Sequence, residues 1–83
     1  MTFPVYRKYE HNRNFFKIIS EKEFIELQII GKKYHINEFT AKIFPDFTLI
    51  SDMIKLENNH WLEMNKEEFE TEFNKATTNL TKL

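Results

Sequence analysis

Two stretches 45 positions apart share one pattern: "IISEKEFIELQ" at 18–28 and "EMNKEEFETEF" at 63–73. In each, an apolar residue is followed by Ser or Asn, two mixed charged positions, then Glu-Phe. Ser20 can accept a hydrogen bond from the amide of Glu23 while the Glu23 carboxylate reaches back to the Ser20 amide, which is a capping box. Ile19 and Phe24 are spaced to form the accompanying hydrophobic staple. Asn65 with Glu68, flanked by Met64 and Phe69, repeats the arrangement. Read this way, two helices begin near residues 21 and 66, and acidic side chains in both first turns suit the positive end of a helix dipole. The repeat needs no ligand to explain it.

The first helix is expected to run through "EKEFIELQII" and stop at Gly31, the only glycine in the chain, placed as a left-handed C-terminal residue. The second places Phe69, Phe73, Ala76, Leu80 and Leu83 at spacings of four, three, four and three, opposite Glu67, Glu70, Thr71, Asn74 and Thr78. Each start is preceded by a strand-like run, "NFFKII" at 14–19 and "HWLEM" at 60–64. Between them "KYHINEFTAKIF" is rich in aromatic and β-branched residues, and its apolar parity changes at Asn37–Glu38, which predicts a bulge or break. "LISDMIKL" at 49–56 reads as a further strand joined to 60–64 through the turn "ENNH". A short helix over Thr48–Ile54, capped by Asp46 or Thr48, competes with that reading.

The expected fold is therefore a small α+β domain in β-α-β-β-β-α order. A three- or four-stranded mixed or antiparallel sheet carries both helices on one face. The whole of 1–83 forms one domain, because smaller pieces could not bury a core, with 1–5 and 81–83 frayed. Nine Phe, three Tyr and one Trp supply the volume for that core.

Composition removes several functions. With no Cys there is neither a disulfide nor a thiolate metal site. The single glycine excludes phosphate-cradling and dinucleotide loops. Of the two serines, Ser20 is used as a cap and Ser51-Asp52 lacks the glycines of a nucleophile elbow. His11, His35 and His60 are widely separated and fall in no metal-ligand spacing, so they read as surface or half-buried residues. No catalytic, cofactor or metal residue is assigned, and no enzyme is expected. The apolar runs are short of the roughly 20 residues that span a bilayer. The N-terminus lacks the apolar segment of a signal peptide, so a cytoplasmic location is the expectation.

Two binding functions remain. The first is a protein-interaction module, with a protein partner or a second copy of itself as a homodimer. It would use Tyr6, Tyr9, Phe47 and Trp61 as exposed anchors, since Tyr and Trp give large contact area at low entropic cost. An unguarded edge strand would offer another route to self-association. The alternative is a single-stranded nucleic-acid binder. In "YRKYEHNRNFFK" aromatic residues interleave with Arg7, Lys8, Arg13 and Lys17, and Lys32 and Lys33 extend the basic set. Charge weighs against it: residues 1–44 carry only +3, residues 45–83 carry −4, and the chain as a whole carries −1.

Overall fold

The computed structural model describes residues 2–57 and 61–81. Strands β1 (Val5–Tyr9), β2 (Asn14–Ser20), β3 (Glu23–Ile30) and β4 (Lys33–Thr40) form an antiparallel meander. Helix α1 (Phe44–Lys55) then carries the chain across the sheet to β5 (Trp61–Glu63), which pairs antiparallel with β1, and α2 (Lys66–Thr81) follows. The five-stranded order is β4-β3-β2-β1-β5. The result is an α+β domain with one more strand than the upper expectation and a different element order.

The main departure is at 23–30, expected as helix and found as strand β3, between β2 and β4. Ser20 and Glu23 are register partners across a two-residue turn, and the Ser20 hydroxyl accepts the amide of Lys22 rather than that of Glu23. Downstream, Ile25, Leu27 and Ile29 alternate with Glu26 and Gln28, the period of a strand. Gly31 does sit at a left-handed position, φ +61°, but in the β3–β4 hairpin turn rather than at a helix end. Positive φ at the first turn residue and not at Lys32 is the type II′ pattern, for which glycine is favoured.

Residues 49–55 are helical: α1 holds the competing reading, not the favoured strand. The Asp46 carboxylate accepts the amides of Lys42 and Ile43, and Pro45 suits the first turn. Ile50 and Met53, three apart, are its buried residues. At the other end Leu56 takes a left-handed conformation, φ 58°, and its amide returns to the Met53 carbonyl. The expected turn over "ENNH" includes residues 58–60, outside the described residues, and β5 pairs with β1 rather than with 49–56.

Helix α2 matches its expectation. The Asn65 side-chain oxygen accepts the Glu68 amide at 2.7 Å. Met64 and Phe69 share one core cluster, as a staple requires. Phe69 and Ala76 are buried and Phe73 half-buried, whereas Glu67, Glu70, Thr71, Asn74 and Thr78 are exposed. Leu83 and the side chain of Leu80, the other two members of the expected stripe, lie outside what is described.

The helices occupy opposite faces of the sheet, not one. Neighbouring side chains on a strand point to opposite faces. Arg7 bonds to the α1 carbonyls of Met53 and Ile54, and Lys8 bonds to Glu68 of α2. One core layer holds Phe16, Ile18, Phe24, Ile50, Met53 and Trp61; the other holds Tyr6, Phe15, Leu27, Met64, Phe69 and Ala76. This explains the parity change on β4 without a bulge. Pairing with β3 is unbroken from Lys33 to Thr40. Tyr34 and Ile36 point to the α2 layer, and Phe39 points to the α1 layer, stacked on Phe24 at 4.8 Å. The first residues are also engaged, since Phe3 packs on the α1 layer and Val5 opens β1.

Candidate interaction surface

The rings expected to be exposed are largely interior. Tyr6 is 8% exposed and packs against Phe69, with centroids 5.3 Å apart. Trp61 is 7% exposed and stacks on Tyr9, which in turn meets Phe16 edge-on. These three rings join β1 and β5 to the core, where burying each contributes on the order of 2 kcal/mol. Of the four expected anchors, Phe47 presents the largest face, 39% exposed.

Phe47 is not isolated. Ile43 is 61% exposed and Phe44 82%, four and three residues before it, which places all three on one side of the first turns of α1. The backbone there is held firmly, because Asp46 ties the amides of Lys42 and Ile43 and Pro45 restricts the turn. Next to this cluster is an open cleft lined by Glu21, Phe47, Ser51, Ile54 and Lys55. Its apolar floor comes from α1, and Glu21 of the β2–β3 turn forms its rim. A rigid apolar knob beside a cleft with one acid and one base at its margin can seat an apolar side chain and orient a polar one. Ile43 and Phe44 were not anticipated as surface residues. "AKIF" reads as the end of an aromatic strand, and only the turn into α1 after Thr40 lifts these two off the sheet.

The basic residues divide into two groups. Arg7 is 7% exposed and spends three of its nitrogens on main-chain carbonyls: Nε on Met53 at 2.8 Å, Nη1 on Tyr6 at 2.8 Å and Nη2 on Ile54 at 2.9 Å. Desolvation by burial pushes its pKa below the ordinary arginine value, and Glu63, its register partner on β5, opposes that shift. The guanidinium therefore closes the last turn of α1, where a cation also suits the dipole, and has no surface for a phosphate. Lys8 pairs with Glu68 at 2.6 Å. Lys17 lines a second cleft with Ile25, Phe69 and Phe73 against α2.

Arg13, Lys32 and Lys33 are exposed and gather at one end of the sheet. The β1–β2 loop and the β3–β4 turn meet there, tied by the Ile29 amide donating to the Arg13 carbonyl at 2.7 Å. His11, whose Nδ1 accepts the Arg13 amide, lies in the same loop, and His35 is exposed on β4. His60 lies outside the described residues. Among the described residues no group of three His, Asp or Glu side chains is placed to hold a metal. Nor, among them, is any helix long and apolar enough to cross a membrane. Ser51 is half-buried on α1 in the cleft described above.

One polar region of the sheet also went unpredicted. Asn14, Glu26, Gln28, His35 and Asn37 share the α1-side face of β2, β3 and β4, where they are half-buried or exposed. The Asn14 amide donates to the Glu26 carboxylate at 2.6 Å. No protein-family model, no curated protein and no solved structure matches this chain.

Proposed function

We propose that this domain is a non-catalytic protein-interaction module that docks a partner on the Ile43–Phe44–Phe47 surface of α1. The observation that carries this reading is Phe44, a large apolar side chain 82% exposed on a backbone fixed by Asp46 and Pro45. A monomer gains nothing from holding such a ring in water, whereas a rigid aromatic anchor is the kind of residue that dominates binding energy. A reducing, cytoplasmic setting fits a chain without Cys. The test is affinity purification of the native chain beside a Phe44→Ser, Phe47→Ser variant. A partner retained by the first and lost by the second supports the reading. Retention by both removes the surface from consideration.

The nucleic-acid reading narrows to Arg13, Lys32 and Lys33, the exposed cations that share one end of the sheet. With Arg7 buried, Lys8 paired and Lys17 lining the cleft against α2, three of the six candidate cations remain to meet phosphates. Absence of oligonucleotide binding at low salt disposes of it.

A further inference from the structure

The two edges of the sheet are unlike. One is β5, three residues long. The other is β4, eight residues in unbroken register, with neither proline nor bulge. Long regular edges of this kind are the ones that accept another strand. The register also says which main-chain groups are available. The Ile29 amide faces β2, bonding to Arg13, so the even-numbered residues of β3 face β4. Their partners Lys33, His35, Asn37 and Phe39 turn their backbone groups inward. Tyr34, Ile36 and Glu38 turn theirs outward, away from the sheet.

We propose that this edge pairs with β4 of a second copy, antiparallel about a two-fold axis at Ile36, making one continuous ten-stranded sheet. Charge selects both the occupant and the direction. β4 is entered through Lys32 and Lys33 and carries Glu38 near its far end. An antiparallel copy brings the partner's basic end towards Glu38, whereas a parallel one would align like with like. Among antiparallel registers whose axis passes through an outward residue, centring on Glu38 opposes two carboxylates. Centring on Ile36 opposes Ile36 to itself, Tyr34 to Glu38 and His35 to Asn37, with Lys33 beside Phe39. That register overlaps nearly the whole strand and adds about six backbone hydrogen bonds. The inference does not rest on the α1 surface: the paired strand ends at Thr40, and Ile43, Phe44 and Phe47 follow it in the chain.

Sedimentation of the full chain from micromolar to millimolar concentration, with amide hydrogen exchange at both limits, tests it. The expected result is a dimer in which the Ile36 and Glu38 amides gain protection with concentration while those of His35 and Asn37 do not change. Glu38→Pro removes only an outward amide, a position edge strands tolerate, and should weaken the dimer about tenfold or more. Glu38→Lys, which sets like charges together without touching the backbone, should weaken it too, and Phe44→Ser should leave it intact. A monomer at every concentration overturns the proposal. So does a dimer that survives both Glu38 variants, or one lost with Phe44→Ser.

Discussion

Segments 18–28 and 63–73 begin with the same pattern of residue types and end as different structures. After Asn65 the amide of Glu68 closes on the cap and α2 starts. After Ser20 the chain reverses within two residues and β3 runs back along β2. The difference lies downstream of the shared letters. Phe69, Phe73 and Ala76 recur at helical spacing, so a helix buries all three against the sheet. Ile25, Leu27 and Ile29 recur every second residue, so only a strand can bury them together. A cap contributes about 1 kcal/mol, whereas burial of several large side chains contributes several times that. The pattern of burial wins over the start signal.

The comparison can be broken most severely at its two buried ends. Phe69→Ala should cost about 3–5 kcal/mol and Leu27→Ala about 2–5 kcal/mol, read from denaturant midpoints. Both side chains fill the same layer, so the double variant should be non-additive. A loss below about 1 kcal/mol at either site would mean that α2 does not close over β3.

Gly31→Val tests the hairpin that makes the first segment a strand. Nothing lies within 4 Å of the added Cβ, so the cost is conformational alone, about 1–2 kcal/mol for a left-handed φ. A helix-ending glycine would lose a similar amount. Hydrogen exchange distinguishes the two: amides around Ile30 and Lys33 should lose protection, while α2 keeps its own.

The caps themselves give a smaller and sharper contrast. Asn65→Ala should cost about 1 kcal/mol, since it orphans a helix amide. Ser20→Ala removes one exposed turn hydrogen bond and should cost no more than about 0.5 kcal/mol. Equal costs would indicate that the two starts are energetically alike. Smallest of all, Phe44→Ser should leave the melting midpoint of the monomer within about 0.5 kcal/mol of the parent, because it empties no core site.

Much of the second segment was legible because its signals are local. Cap, staple, acidic first turn and apolar stripe all fall within one stretch, and the Glu72–Lys75 pair on its surface is a 3.6 Å contact of the same helix. The first segment was misread because the same cap letters fit a hairpin turn. The signal that would have separated them is the run of equal strands joined by the dipeptides Glu21-Lys22 and Gly31-Lys32. A break and a change of covered face look alike in one dimension, so the parity change on β4 does not by itself separate them. The candidate surface was the least legible part. Phe44 and Tyr6 are both aromatics that follow a β-branched apolar residue, yet one is 82% exposed and the other packs on Phe69 of α2.

The chain by itself determined what a few neighbouring residues can decide: where α2 begins, which of its faces is apolar, and that Gly31 takes a left-handed turn. Tertiary structure alone decided that 23–30 is a strand, that α1 and α2 lie on opposite faces, and that Arg7 is interior while Phe44 is not. The reason is that local hydrogen bonds and φ preferences act within a turn or two of chain. Which side of a strand is dry depends on helices joined to it tens of residues away.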